Sequence, residues 1–207
     1  MPLALASDIH DLRARIGLRD GLVAGYISNV SAREGHDVLL RAVALARASG
    51  AELQCLIVGR GPQLDALRLL AMELGIADSV VFTGEVPHAE IPSYYALIDI
   101  FVVPRVADFA SDFVTPMKPL EAMAMRRPLI VSDRPALHEL VPPGVRGLEF
   151  DAGCPRALSA ALLTLAQNEG QRQTLAEAGF SWVTSERSWP AAVDIYRGLY
   201  LDLLAGR

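Results

Sequence analysis

The chain has 207 residues, of which 52% are hydrophobic, and its formal net charge at pH 7 is −5. This length and composition are sufficient for one domain with a sizeable buried core. The negative charge and the absence of any block of basic residues argue against nucleic acid or an anionic membrane as the main partner.

The predicted strands define the fold class. Residues 1–20 are charged and helical in tendency and are interpreted as a linker or leading arm. From residue 21 onwards, short apolar runs alternate with amphipathic segments. Six runs are predicted as strands, the last of them at a sheet edge: Leu22–Ile27, Leu53–Val58, Ser79–Thr83, Ile100–Val103, Leu129–Val131 and Gly147–Phe150.

Helices are predicted between and after these strands, at Asp37–Ala48, Gln63–Leu74, Ala89–Leu97, Leu120–Met125, Pro155–Asn168, Gln171–Ala178 and Ala191–Leu204. Short, continuous apolar strands followed by amphipathic helices predict an α/β fold with a Rossmann-like, doubly wound parallel sheet of about six strands. This domain is predicted to span residues 21–207. One face of the last helix is apolar at helical spacing and is interpreted as core more readily than as interface: Val193, Tyr196, Tyr200 and Leu203.

The sequence shows no pattern typical of a metal site, a disulfide framework or a membrane span. No uncharged apolar run approaches the ~18 residues of a transmembrane helix, and no secretory signal begins the chain. Two cysteines, Cys55 and Cys154, suggest a reducing compartment, so we expect a cytoplasmic protein. The four histidines are scattered singly, and each is interpreted as a surface or core residue: His10, His36, His88 and His138.

Two glycine turns follow predicted strands, at the sheet edge where such folds bind ligands. The turn Gly59-Arg60-Gly61-Pro62 lacks the third glycine of a dinucleotide fingerprint and follows the second strand, so a nicotinamide-dependent oxidoreductase is not favoured. A turn without a ligand is an equal alternative. In Thr83-Gly84-Glu85-Val86, Gly84 would let the backbone approach a ligand closely, although an ordinary strand-ending glycine is the favoured alternative.

The most informative run is Thr115-Pro116-Met117-Lys118-Pro119-Leu120-Glu121-Ala122-Met123-Ala124. Pro119 suits the first position of a helix. Lys118 is unusual there, because a cation meets the positive end of the helix dipole unless an anion such as phosphate lies between them. A solvated lysine is an equal alternative. Glu121 is predicted either to cap its own helix or to accept hydrogen bonds from sugar hydroxyls.

This run resembles the donor-binding signature of the retaining glycosyltransferases of family 4 (group 1), which have the GT-B fold. That signature has a glutamate, seven residues and a second glutamate before Ala-Met-Ala. Glu121 matches the second glutamate, but Phe113 stands at the first, and the nearest carboxylate, Asp112, comes one residue too early. A subgroup from bacterial polysaccharide synthesis is closer, with Thr-Pro-Leu-Lys-Pro-Leu-Glu-Ala-Met-Ala. The Val-Gly-x-Gly-Pro turn and Glu186-Arg187-Ser188-Trp189 are further landmarks.

The first strand departs from the family pattern. There the family has Gly-Arg-x4-Lys-Gly, and both cations contact the donor diphosphate. Ser28, Asn29 and Glu34 stand at the positions of the first glycine and the two cations. The subgroup with the lysine also has Glu-Gly here, so we expect the positive charge to have moved. The predicted replacements are Arg105, at the rim after the fourth strand, and Lys118, with Arg33 and Arg60 as weaker candidates.

The resemblance implies the C-terminal, donor-binding half of a two-domain enzyme that takes a nucleotide-diphosphate sugar and needs no metal. The acceptor domain is absent, so the isolated chain is expected to be inactive. Lys118 and Arg105 are implied as catalytic cations that neutralise the departing diphosphate. Arg105 is also suited to a carboxylate such as Asp108 or Asp112. The implied donor-binding residues are Ser28, Asn29, Gly59, Arg60, Gly61, Gly84, Val86, Thr115, Pro116, Met117, Leu120 and Glu121.

The alternative is a non-catalytic nucleotide-binding or interaction module derived from the same fold. The loss of the first glutamate and of both first-strand cations favours this alternative. The presence of Lys118, Glu121 and the glycine turns argues against it.

Overall fold

A parallel β-sheet forms the centre of the computed structural model, which describes residues 6–187 and 189–204. Its six strands lie in the order β3-β2-β1-β4-β5-β6, and every pair is parallel. The strands are β1 (Leu22–Ile27), β2 (Leu53–Val58), β3 (Val80–Gly84), β4 (Ile100–Val103), β5 (Leu129–Ser132) and β6 (Gly147–Phe150). The predicted sheet is confirmed, with β6 at an edge; β3 is shifted by one residue and β5 is one residue longer than predicted.

The burial of the strands explains why they are continuous apolar runs. Every residue of β2, β4 and β5 is buried, as are all but the first residue of β1. Strands covered on both faces do not alternate between apolar and polar side chains. Because the strand order reverses between β1 and β4, a crevice is expected at the carboxyl ends of these strands.

Ten α-helices flank the sheet within the described residues: α1 (Ala6–Arg15), α2 (His36–Ala48), α3 (Leu64–Glu73), α4 (Ile91–Leu97), α5 (Phe109–Phe113), α6 (Lys118–Ala124), α7 (Pro135–Leu140), α8 (Pro155–Gln167), α9 (Glu169–Glu186) and α10 (Trp189–Leu204). Helix α2 packs against α8 and α3, α1 against α4, and α6 against α9. The sequence did not predict α5 and α7, because helices of five or six residues are too short to show a helical period.

Helix α9 continues eight residues beyond the predicted end at Ala178. Gly179 is buried in the interior of this helix, where an added Cβ would lie 2.9 Å from Cγ of Met123. This glycine therefore allows α9 to pack closely on α6.

The described part of the leading segment is packed on the domain. Leu12 in α1 and Leu18 after it are buried in the core. The guanidinium of Arg13 donates hydrogen bonds to the carbonyl oxygens of Arg19 and Gly21. Residues 6–20 are thus an integral part of the fold, in contrast to the linker or arm interpreted from their charge. Residues 1–5 lie outside the described residues.

The final helix differs from the expectation of a core stripe. The four residues of its predicted apolar face are all more than half exposed: Val193, Tyr196, Tyr200 and Leu203. That interpretation is wrong for the described structure, in which little of the domain covers α10. Ser188 of the closing motif lies outside the described residues. Among those described, no helix is both long and apolar enough to cross a membrane.

Candidate functional site

A cleft of about 320 Å³ opens at the carboxyl ends of β1 and β2. It is lined by the ends of these strands, by the turn after β2, by residues after β3 and by the first residue of α6: Ile27, Ser28, Asn29, Val58, Gly59, Arg60, Glu85, Val86, Ile91 and Lys118. Six of the predicted site residues therefore meet here. Of the other predicted residues, these lie outside this lining: Gly61, Gly84, Arg105, Thr115, Pro116, Met117, Leu120 and Glu121.

Close packing of two backbones explains the glycine turn after β2. Gly59 has a φ of +136°, and a Cβ there would overlap the carbonyl oxygen of Ser28. A Cβ at Gly61 would overlap the carbonyl of Val30. The Val30 N–H donates to the Arg60 carbonyl oxygen at 2.9 Å, which joins the turn to the loop after β1. These glycines shape the wall of the cleft whether or not a ligand is bound.

Lys118 and Glu121 form an ion pair at the mouth of this cleft. The Lys118 Nζ lies 2.9 Å from Oε2 and 3.1 Å from Oε1 of Glu121. The two side chains are 33% and 39% exposed. Lys118 is also the only lysine among the 207 residues. A ligand entering the cleft can therefore reach a cation and a carboxylate that are already side by side.

The start of α6 differs in two details from its prediction. The first helical residue is Lys118 and Pro119 is the second, while Met117 makes no side-chain capping bond. Glu121 accepts a hydrogen bond from the hydroxyl of Tyr95 at 2.9 Å, in addition to its bonds from Lys118. The interpretation of Glu121 as the cap of its own helix is therefore not supported.

Arg105 is paired inside the domain and not with the carboxylates considered from the sequence. Its Nη2 lies 3.4 Å from Oε1 of Glu34, and the side chains of this pair are only 15% and 12% exposed. Asp108 pairs with Arg33 at 2.8 Å, and Asp112 pairs with Arg134 at 3.3 Å. Both side chains are largely withdrawn from water, and a charged group in such a place requires a partner of opposite charge.

Tyr26 is a further hydrogen-bonding partner of Glu34. Its buried hydroxyl donates a hydrogen bond to Glu34, and burial is the main cause that raises the pKa of the phenol. The ring of Phe101 lies between Tyr26 and Tyr95, with centroid distances of 5.7 Å and 5.2 Å. Each tyrosine donates a hydrogen bond to one glutamate, Tyr26 to Glu34 and Tyr95 to Glu121. Neither tyrosine was predicted as a site residue, because nothing in the sequence distinguishes them from other aromatic core residues.

His36 is a buried residue behind the cleft, in agreement with its interpretation as surface or core. Its Nε2 lies 3.1 Å from Oγ of Ser28, and its ring lies 5.2 Å from that of Tyr26. Burial lowers the pKa of His36 to about 4. The imidazole is consequently neutral near pH 7 and supports the loop that carries Ser28.

The side chain of Arg60 is more exposed than those of Arg105 and Lys118. Arg60 Nη1 lies 3.1 Å from Oε2 of Glu85 at the edge of the cleft, an exposed ion pair of the kind that contributes little stability.

Phe113, at the position of the first family glutamate, packs on Phe109 with a centroid distance of 4.7 Å, and both rings are exposed. Phe113 cannot accept a hydrogen bond from a sugar.

The cleft combines charged side chains with the backbone of the glycine turn after β2. No group of three or more histidine, cysteine, aspartate or glutamate residues in the described part of the chain is arranged to hold a metal ion. Lys118 and Arg60 supply positive charge next to the carboxylate of Glu121 and the backbone of the Gly59 turn. This combination suits a ligand with a phosphate group and neighbouring hydroxyls.

Comparison with known proteins agrees with this geometry. A family profile described as glycosyl transferases group 1 matches residues 21–168. The GDP-mannose-dependent alpha-(1-6)-phosphatidylinositol monomannoside mannosyltransferase of Mycolicibacterium smegmatis is 31% identical over 95% of this chain and 51% of its own length. The chain spans about half the length of the curated relatives it matches.

Two solved structures show the same fold. HepE of Anabaena, in complex with UDP-glucose, superimposes with a TM-score of 0.79 at 23% identity, over 98% of this chain and 54% of HepE. The C-terminal domain of the group 1 glycosyltransferase LpcC from Francisella tularensis gives 0.74 at 19% identity, over 88% of this chain and 92% of that domain. The predicted C-terminal half of a GT-B fold is thus confirmed, and since the family profile covers well over half of the sequence, the chain belongs to the group 1 glycosyltransferases.

Proposed function

We propose that this chain is the nucleotide-sugar donor-binding half of a retaining glycosyltransferase, and that the whole enzyme works in bacterial polysaccharide or glycoconjugate synthesis. The mycolicibacterial relative is named as GDP-mannose-dependent, and HepE was solved with UDP-glucose. These two donors differ in base and in sugar. The proposal therefore concerns the class they share, the nucleotide-diphosphate sugars.

The position of Lys118 carries this proposal. Its ammonium group faces the cleft, and its only ion-pair partner in the described structure is the half-exposed Glu121. An exposed ion pair of this type is worth at most about 1 kcal/mol, so a diphosphate can draw Lys118 away at little cost. The other basic residues of the chain are arginines. A lysine provides a compact charge that can move between two anionic partners.

In the proposed reaction, negative charge accumulates on the diphosphate as its bond to the sugar breaks. Lys118 stabilises that charge electrostatically, and Arg60, which also lines the cleft, adds a second cation. Glu121 accepts hydrogen bonds from the ribose hydroxyls. Arg105, predicted as a second catalytic cation, is instead assigned to the neutralisation of Glu34, because their pair is largely buried and does not line the cleft.

The positive side chains take the place that a metal ion would have in binding the diphosphate, so the proposed donor site needs no metal. The remaining half of the enzyme would supply the acceptor pocket. Both cysteines are free thiols, which agrees with a cytoplasmic location.

The uniqueness of Lys118 allows a direct test. An amine-directed acylating reagent can modify only this side chain and the N-terminal amine, so the two sites are separable by peptide mass spectrometry. We expect saturating UDP or GDP to slow the acylation of Lys118, and uridine or guanosine to leave its rate unchanged. The N-terminal amine is the internal control. Equal rates with and without both diphosphates would contradict the proposal.

A non-catalytic module is the second candidate, and one observation favours it. Glu34 stands where the family has a phosphate-binding cation, and its partner Arg105 is held away from the cleft. The two candidates differ in the outcome of joining the chain to an N-terminal GT-B half. Sugar transfer by the joined protein would establish the enzyme. Diphosphate binding without transfer, using a half that is active with its own C-terminal domain, would favour the module.

A further inference from the structure

The carboxylate of Glu121 accepts a hydrogen bond from a buried residue, Tyr95, that is not part of the family signature. Tyr95 in α4 is almost fully buried, and its hydroxyl donates to Oε2 of Glu121 at 2.9 Å. Its ring is stacked on Phe101 at a centroid distance of 5.2 Å and an interplanar angle of 27°. The stacked ring has little freedom to move. The position of the hydroxyl is therefore fixed by the packing of the core.

The hydrogen-bonding capacity of Glu121 shows what this contact does. A carboxylate offers about four acceptor sites, two on each oxygen. Lys118 uses one site on each oxygen, and Tyr95 uses a second site on Oε2. Only one site, on Oε1, is then left for a ligand. Two ribose hydroxyls need two sites, so full recognition requires Lys118 to release at least one.

If Lys118 turns to the diphosphate as proposed, Glu121 loses the cation that also restrains it. Among the described contacts, the hydroxyl of Tyr95 is then the remaining hydrogen bond from the protein to this carboxylate. It leaves three acceptor sites of the carboxylate free, among them both sites on Oε1. We propose that Tyr95 is a positioning residue that holds the Glu121 carboxylate in place for the ribose hydroxyls of the donor. This inference rests on the proposed function.

Tyr26 provides a matched comparison on the other side of Phe101. It also donates its hydroxyl to a glutamate, Glu34, but the cation of that pair is Arg105, whose side chain is largely buried. Glu34 and Arg105 do not line the cleft. Tyr26 is therefore expected to stabilise the fold without affecting ribose recognition.

The test compares Tyr95→Phe with Tyr26→Phe in the 207-residue chain. Both changes remove one hydroxyl and keep the ring. Affinities for UDP and GDP and for their 2′-deoxy counterparts are measured by calorimetry, and thermal unfolding is followed in parallel. For Tyr95→Phe we expect a three- to tenfold loss of affinity for the better ribonucleotide and less than a twofold loss for its deoxy form. Tyr26→Phe should leave all affinities within twofold of wild type.

A double substitution tests whether Tyr95 acts through Glu121. In a chain that already has Glu121→Gln, adding Tyr95→Phe should change the ribonucleotide affinity by less than twofold, because the oriented carboxylate is gone. An undiminished effect in that background would overturn the inference, as would equal losses for ribose and deoxyribose ligands. Wild-type chain that binds neither diphosphate would refute the proposed function and this inference together. Wild-type binding that Tyr95→Phe leaves unchanged would refute the inference alone.

Discussion

Arg105 and Glu34 form a largely buried ion pair, 3.4 Å apart, at positions that the sequence places 71 residues from each other. Both lie at the carboxyl edge of the sheet, where related enzymes are expected to have cations for the donor. Here the charges cancel each other. The hydroxyl of Tyr26 gives Glu34 a further partner, so this carboxylate belongs to the support of the site and not to its surface.

We predict that Arg105→Met destabilises the fold by about 3 kcal/mol, because it leaves a buried carboxylate without its cation. The double variant Arg105→Met/Glu34→Gln should be more stable than Arg105→Met alone. Urea unfolding of the four proteins in this cycle measures both effects. The matched control is Arg60→Met, which removes an exposed ion pair with Glu85 and should cost less than about 1 kcal/mol. Similar costs for the two arginines would contradict the assignment of Arg105.

The strands could be predicted from sequence because burial on both faces leaves a signal that one stretch of chain contains by itself. The run Ile100–Val103 reads as a strand without any knowledge of its neighbours. The partner of Arg105 could not be read in this way. Asp108 and Asp112 are near it in sequence, but tertiary packing brings Glu34 closer. The substitution of a glutamate for a family cation was a signal, although it did not identify the pair.

Some residues of the cleft can likewise be recognised from one stretch of sequence, whereas others depend on tertiary packing. The run around Lys118 indicated a ligand site because its residue types conflict with the preferences of a helix start. Tyr95 shows no such conflict, since an aromatic residue in an amphipathic helix is ordinary core. Its hydroxyl has a role only because the folded chain brings it within 2.9 Å of Glu121, which lies 26 residues away in the sequence.

His36 predicts a specific dependence of stability on pH. Its pKa is about 4 in the folded protein and near 6.5 in the unfolded chain, so the unfolded state binds the proton more readily. The stabilisation from the neutral imidazole is complete above pH 6.5 and is lost as the pH falls towards 4. A difference of this size corresponds to about 3 kcal/mol of unfolding free energy.

The measurement is urea unfolding between pH 7.5 and pH 4 for wild type and His36→Gln. Glutamine does not titrate, so the stability of the variant should fall less steeply than that of wild type over this range. Parallel pH profiles for wild type and His36→Gln would show that His36 does not titrate in this way.

The isolated chain is predicted to bind a nucleoside diphosphate but not to transfer sugar. A reaction in a cleft between two domains needs both sides to position donor and acceptor. The expected result is saturable binding of UDP or GDP with no detectable transfer from a nucleotide sugar. Binding should be unchanged by EDTA, because side-chain cations supply the positive charge. Robust transfer by the 207-residue chain, or loss of binding on chelation, would contradict the respective part of this prediction.

Glu121→Gln separates ligand recognition from structural support at the cleft. Glutamine keeps the size of the side chain but replaces one acceptor oxygen with a donor and removes the charge. We expect ribonucleotide affinity to fall by about tenfold, which is the lower end of the range for the loss of a hydrogen bond to a charged group. The loss for the 2′-deoxy ligand should be smaller. Thermal stability should change little, because the Lys118–Glu121 pair is half-exposed.

The control for this variant is Asp65→Asn, which breaks an exposed pair of the same i,i+3 spacing between Asp65 and Arg68 in α3. Its effect on stability should match that of Glu121→Gln, whereas its effect on ligand affinity should be absent. The comparison is informative because both changes neutralise one carboxylate beside one cation on a helix. Only Glu121 has its cation in the cleft and a second donor, Tyr95, fixed in the core. An unchanged affinity in Glu121→Gln would leave this carboxylate with a purely structural role and would favour the non-catalytic module.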